Sequence, residues 1–390
     1  MNYASPTSLL KMAATLLALS AAAAQAQAPA KPASQAWQFG AVLDLTHTSR
    51  PLALGGRDQG LQLGHSDLTA SGPLGPWLRA QATATVATHE GKLEKGMEEF
   101  WLETTRLPAG LQLRAGRFAS QIGYLNQQHP HADDFVERPL LYRAFYGGHW
   151  NDDGLRLNIT LPTSFYWMVG AEVFRGRKLV AEAAPGSPSG LGVSTLSTKL
   201  GADLNRHHSW QLGLSHIHNR REAAVEDEDH EHEHGGEAHE HHHHHHGAQF
   251  SGRKTWLLDG TWKWAPGGNN REQQLRLGFE AARITGLNRF ARGSDKHEAN
   301  ALSAVWRFNP SWEVGVRSDW LRARQPHGDH FHSVLLRERS LMLAWKPTHM
   351  QALRLQYARQ SDAHEVENPS RGSWQLQYVM AFGAHGAHSF

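Results

Sequence analysis

From Trp37 to Phe382, apolar residues recur at every second position in runs of about ten. That is the period of a strand with one apolar and one polar face. In the first run, near 36–46, Trp37, Phe39, Ala41, Leu43 and Leu45 alternate with Gln38, Gly40, Val42 and Asp44. Leu111, Leu113 and Ala115 likewise oppose Gln112 and Arg114, and Leu155, Leu157 and Ile159 oppose Arg156 and Asn158. Near the end, Trp374, Leu376, Tyr378, Met380 and Phe382 oppose Gln375 and Gln377. The polar faces are too rich in Arg, Gln and Glu for the water-facing side of a soluble sandwich, and the apolar faces are uniform. The pattern therefore predicts an all-β fold, a transmembrane β-barrel of about 16 antiparallel strands with its apolar faces in lipid.

The connections provide an independent check, since they alternate between short and long. Short turns are expected at 71–76, 106–110, 161–164, 205–209, 265–271, 309–311 and 346–349, where Gly, Pro and Asn supply turn geometry. Longer connections are expected near 47–60, 88–96, 119–152, 175–192, 220–252, 283–298, 322–333 and 362–371. Trp37, Trp77, Trp167, Trp210, Trp264, Trp306, Trp312 and Trp345 fall beside the short turns, as a periplasmic aromatic girdle requires. Trp256, Trp320 and Trp374 mark the opposite rim. Trp101 breaks the scheme, because Phe100 and Leu102 claim the lipid side and send it inward. The second strand, LQLGHSDLTAS at 61–71, alternates poorly and is expected to carry a bulge.

The N-terminus changes the compartment. Lys11 closes a short basic region, Met12–Ala24 is apolar, and Ala24-Gln25-Ala26 or Ala26-Gln27-Ala28 offers a cleavage site. We expect a signal peptide at 1–26, a short segment at 27–35, and a barrel over 36–390 in the bacterial outer membrane. No later stretch is long and apolar enough for a transmembrane helix, and the chain has no cysteine. A formal charge of +2 gives no reason to expect a nucleic-acid partner. The terminal Phe390, after an aromatic-rich strand, resembles the signal read by the barrel-assembly machinery. Outer-membrane lipid and lipopolysaccharide are the other expected partners, and a homo-oligomer stays open.

Two loops carry candidate metal chemistry. In the third long connection, 119–152, the apolar Phe135, Leu140, Leu141, Tyr142 and Phe145 suit a loop folded into the lumen as a constriction. His129, His131, Asp133, Asp134 and Glu137 crowd together there, a set of imidazoles and carboxylates that suits zinc or forms a hydrogen-bonded constriction without metal. In the fifth, 220–252, ten histidines alternate with Glu and Asp. They are His230, His232, His234, His239, His241, His242, His243, His244, His245 and His246. Such a tract binds divalent ions in many interchangeable ways; a solvated insert, a tag or a pH-responsive gate are the other readings. Histidines near the short turns (His207, His208, His349, His385 and His388) read as scattered interfacial residues or as a relay. Zinc, as a transported or loosely bound ion, is the implied ligand, with no organic cofactor. Inward-facing Arg114, Arg156, Arg276, Arg307, Arg317 and Arg354 are expected to line the lumen opposite Glu99, Glu103, Glu280 and Glu313, leaving ion preference open.

The runs AGLQLRAGRFASQIGYLNQQHPHADDFVERPLLYRAFYGG (109–148) and DDGLRLNITLPTSFYWMVGAEVFRG (152–176), with the closing FGAHGAHSF, carry a specific resemblance. They resemble the zinc-regulated outer-membrane receptor or porin-like family of Gram-negative bacteria. Some of its members are called TonB-dependent, but the roughly ten residues expected between the cleavage site and Trp37 leave no room for a plug domain. The resemblance implies a porin-like channel for divalent metal, chiefly zinc. The alternatives are a general or anion-selective porin with an incidental His tract, and a surface metal-buffering or adhesion protein. With no GxSxG or HExxH motif, no enzyme is expected.

Overall fold

The computed structural model describes residues 36–180, 187–221, 247–366 and 371–383. The expected signal peptide, the His tract and the expected C-terminal assembly signal lie outside these residues. The first half contains β1 (Gln38–Thr48), β2 (Gly60–Leu63), β3 (Ser66–Leu74), β4 (Leu78–His89), β5 (Lys92–Thr104) and β6 (Leu111–Ala119). After a helix α1 (Leu140–Tyr146) come β7 (Asn151–Thr160), β8 (Tyr166–Phe174), β9 (Val193–Asn205) and β10 (His208–Asn219). The second half comprises β11 (Lys254–Trp264), β12 (Gln274–Thr285), β13 (Lys296–Asn309), β14 (Trp312–His327), β15 (His330–Thr348), β16 (Gln351–His364) and β17 (Ser373–Gly383).

Each strand pairs antiparallel with the next, and β1 closes the sheet against β17, Gly40 facing Gly383 and Thr48 facing Gln375. β2 and β3 both lie against β1 and act as one interrupted stave, so the described residues form a closed barrel of sixteen staves. Closure satisfies every ladder without an edge, the condition for a sheet in hydrocarbon. Alternation sends Leu302, Val316, Leu341, Leu355 and Leu376 outward and Ala301, Arg317, Ser340, Gln356 and Gln375 inward. Trp37, Trp77, Trp312 and Trp345 stand exposed at the short-turn rim, and Trp256 and Trp374 at the other. Trp101 points inward, buried beneath Arg114.

All the expected short turns join paired strands, but two expected long loops do not exist as loops. β4 and β5 stay paired up to His89 and Lys92 around Glu90-Gly91, both at positive φ. β14 and β15 stay paired up to His327 and His330 around Gly328. Above the lipid both faces of a hairpin are wet, so the ladder continues while the period-2 signal fades.

The third loop, 120–150, lies inside the barrel. Leu140, Leu141, Tyr142, Ala144, Phe145 and Tyr146 of α1 are buried against lumen-facing Phe118, Phe174, Ile217, Leu257, Ala299 and Leu336. Burying five large side chains contributes on the order of 10 kcal/mol, before the entropy of ordering the loop. Wall residues pin it further. Arg143 pairs with Glu338 at 2.5 Å, and Gln356 accepts the Val136 N–H at 2.8 Å. Arg317 donates to the Glu137 carbonyl at 2.5 Å, and Arg276 grips Asp134.

Deleting 126–146 is expected to raise single-channel conductance several-fold in planar bilayers. Unchanged conductance would place this loop outside the conducting path.

Candidate metal site in the lumen

Where β2 gives way to β3, Gly64 and His65 leave the regular ladder. The freed backbone groups find other partners. Gly64 N–H donates to the Asp44 carbonyl at 2.8 Å, and Asp44 N–H to Ser66 Oγ at 3.0 Å. The Leu63 N–H and carbonyl are both met by Thr88 Oγ1. A β-carbon at Gly64 would sit 2.4 Å from Asp44 Oδ2 and 2.6 Å from Arg57 Nη1, so any larger residue here would have to displace a buried ion pair. Across the wall, the β4–β5 register shifts between Thr83 and Ala84, which face Glu99 and Met97. Glu98 is the extra residue of that bulge, so Glu98 and Glu99 are both buried toward the lumen instead of pointing to opposite faces. β5 pairs with β6 only from Phe100 to Glu103, which leaves this stretch free to bend.

The third loop completes the site. Pro130 holds His129 in an extended conformation and opens a 3₁₀ turn, Pro130–Ala132, that carries His131. The two imidazoles stack with centroids 5.5 Å apart over the wall carboxylates.

His65, Asp67, Glu98 and His129 offer ligand atoms that all lie within 4.8 Å of one another. His65 Nε2 is 2.9 Å from Glu98 Oε2 and 3.1 Å from Asp67 Oδ1. His129 Nδ1 is 3.1 Å from both Asp67 Oδ2 and Glu98 Oε2, and His131 Nδ1 is 3.1 Å from Asp67 Oδ2. Such spacings are close to the roughly 3.3 Å ligand separations around a tetrahedral ion with ~2 Å bonds. Yet Nδ1 of His129, Nδ1 of His131 and Oδ1 of Asp67 are buried without an aligned hydrogen bond. Of these, His129 and Asp67 belong to the converging group, and His131 stands beside it against Asp67. Imidazole with carboxylate suits a borderline divalent cation. His149 backs the site, its Nδ1 2.7 Å from Glu98 Oε1 and its Nε2 2.8 Å from the Asn126 carbonyl. Outer partners of this kind orient metal-binding groups. Burial disfavours an imidazolium at His129, but the Glu98, Asp67 and Glu99 carboxylates outweigh it and hold its pKa well above the usual value. Beneath the cluster a cavity of about 640 Å³ opens, lined by Arg79, Glu99, Glu103, Arg114, Gln128 and Arg156 among others.

The five third-loop residues expected to act together do not. His129 and His131 join the cluster; Asp133 pairs with Arg138 at 2.7 Å, Asp134 with Arg276, and Glu137 Oε2 accepts from Gly56 N–H at 3.4 Å. These three carboxylates, Asp133 and Glu137 buried and Asp134 half-buried, are engaged in fixing the loop. His65, Asp67 and Glu98 escaped the sequence reading because only a strand break and a bulge bring them together, and His149 because it reaches Glu98 only when the far end of the loop folds back. The poor alternation at 61–71 and the adjacent Glu98-Glu99 before outward Phe100 were the available signals. His230, His232, His234, His239 and His241 to His246 lie outside the described residues.

The lumen arginines are not the expected opposed rows. Arg114 pairs with Glu103 at 2.6 Å, Arg307 with Glu313 at 2.5 Å, and Arg156 with Glu172 at 2.6 Å. Arg317 pairs with Asp319 and Glu338, and Arg354 donates to Gln377 and to the His131 carbonyl. Glu99 accepts from Gln81, and Glu280 from Tyr142 of the loop. Most of this charge is paired along the wall or spent on holding the third loop.

The fold matches outer-membrane porins. OprB of Pseudomonas putida superposes with a TM-score of 0.58 at 12% identity, over 89% of this chain and 94% of that one. The outer membrane channel DcaP of Acinetobacter baumannii gives 0.53 at 10% identity, over 89% and 96%. OmpF of Salmonella typhi also gives 0.53, at 9% identity, over 89% and 97%. An uncharacterized protein of Aquifex aeolicus is 35% identical over 118 residues, 30% of this chain. The match spans 24% of that relative's length. No family model matches the chain. With its apolar exterior and aromatic rims, this closed sixteen-stave barrel is an outer-membrane protein of porin architecture.

Gly64→Ala is expected to push the Asp44–Arg57 pair aside and misplace His65. Calorimetry on the folded protein lacking the His tract should then give at least roughly tenfold weaker binding of one divalent ion. Wild-type affinity in that variant would mean that the strand break has no part in ligation.

Proposed function

We propose that this protein is a porin-type channel admitting divalent metal, chiefly zinc, across the outer membrane. Zinc is cargo in this reading and halts at the His65, Asp67, Glu98 and His129 site, with His131 beside it. The observation that carries the proposal is the convergence of those groups from a strand break, a bulge and the constriction loop. A constriction made only for size would not need two imidazoles and two carboxylates converging within 4.8 Å, with His129 Nδ1 left without a hydrogen bond. The resemblance of 109–148 to the zinc-regulated family supports the same reading. The His tract at 220–252 fits a capture role at the mouth, where many weak sites concentrate ions without selecting among them.

The rival reading is a general or anion-selective porin. It is favoured by one observation: Arg79 lines the cavity beneath the site without a carboxylate within 4 Å among the described residues, beside the paired Arg114 and Arg156. Zinc flux into proteoliposomes separates the two.

Changing His129 and His131 to Ala is expected to lower zinc flux at least roughly tenfold while leaving the heat-modifiable barrel intact. Deleting 226–246 is expected to remove most bound zinc, yet to slow growth only when zinc is scarce. Normal growth of both variants under zinc chelation, with unchanged flux, would leave the general porin as the function.

A further inference from the structure

The lipid-facing surface carries charge where hydrocarbon contact calls for none. Along β12 to β16, alternation sends Arg283, Arg322, Arg337, Arg339 and Arg359 outward toward the extracellular rim, while Ala282, Leu321, Leu336, Glu338 and Gln360 between them are buried inward. The aromatic belt fixes their depth. Trp374 packs on Tyr357 with centroids 4.8 Å apart, and Arg359 is the next outward residue above Tyr357. Trp320 lies opposite Arg337, and Arg322 is the next outward residue above Trp320. These guanidinium groups stand at headgroup level.

Arg339 faces Arg359 directly across the β15–β16 ladder, an arrangement that destabilises a sheet unless an anion intervenes. The acids on this face are already engaged. Glu298 holds Arg283 at 2.8 Å and Lys296 at 3.1 Å, and Asp362 holds Arg337 at 2.9 Å. Arg322, Arg339 and Arg359 have no carboxylate partner among the described residues. Beside them a groove of about 410 Å³ crosses Trp320, lined by Arg322, Leu335 and Arg337 and by the already paired carboxylates Glu298 and Asp362. The opposed Arg339 and Arg359, with Arg322 at the edge of an amphipathic groove, fit a ligand that is anionic at one end and apolar at the other.

We propose that this face binds the phosphorylated glycolipid of the outer leaflet, lipopolysaccharide. Its phosphates bridge Arg322, Arg339 and Arg359, and its sugar and first acyl segment lie in the groove over Trp320. Guanidinium matches phosphate in bidentate geometry, and a bridging phosphate turns the Arg339–Arg359 repulsion into attraction. A second copy of the chain docking here would set like charge against like.

The test titrates full-length protein in detergent micelles with bisphosphorylated lipid A, read by native mass spectrometry. The wild type is expected to bind roughly a hundredfold tighter than the R322Q/R339Q/R359Q variant, and to lose that advantage with dephosphorylated lipid A. Equal binding by the triple variant would overturn the proposal. So would indifference to the lipid phosphates, displacement by millimolar inorganic phosphate, or oligomers that cover the face without glycolipid. If the triple variant does not assemble, the comparison of the two lipids on the wild type decides alone.

Discussion

The constraint on which the rest depends is that a barrel in hydrocarbon must satisfy every backbone polar group within its own closed ladder. Closure of β1 on β17 meets it, and strict alternation follows, because a ladder with no edge leaves side chains only two directions. A strand can then change what it shows the lumen only where something else takes over its hydrogen bonds. At Gly64-His65 the Asp44 carbonyl, Ser66 Oγ and Thr88 Oγ1 do so. At Glu98 the bulge does so, where β5 already lacks β6 as a neighbour. Both departures supply ligand atoms to one point.

The third loop is held by two means with different consequences. The apolar packing of α1 against Phe118, Phe174 and Leu257 gives it affinity for the lumen but little orientation, since such packing is non-directional. The wall pairs, Arg317 to the Glu137 carbonyl, Arg354 to the His131 carbonyl and Arg143 to Glu338, supply the orientation. Removing Glu338, the buried carboxylate that holds Arg143, would leave that guanidinium stranded and cost about 3–5 kcal/mol. The HPH segment is therefore presented to the opposite wall in a fixed pose. This separates the site from the His tract, where each bound ion must order the chain around it.

Much of the architecture was legible in the sequence, because lipid imposes a one-dimensional rule on it. Lipid-facing residues of a barrel are apolar whatever their neighbours are, so the sixteen staves, the short turns, inward Trp101 and the irregular second strand could all be read from position. The rule stops at the membrane surface. There the hairpins at 88–96 and 322–333 lost their alternation and read as loops, although Lys92 and His330 are still paired with His89 and His327.

Within the third loop the sequence determined that imidazoles and carboxylates would meet in the lumen, since its apolar residues had no other place to bury. It could not determine which would share a ligand. Asp133, Asp134 and Glu137 are adjacent to His129 and His131 in the chain, but Arg138, Arg276 and the Gly56 N–H claim them in space. His65, Asp67, Glu98 and His149 come from separate segments and meet the HPH turn only when the barrel closes and the loop folds in. Local pattern reports which face a residue takes; which residues share a point inside a closed ring depends on long-range register and on competition for buried charge, and only the tertiary structure decides those.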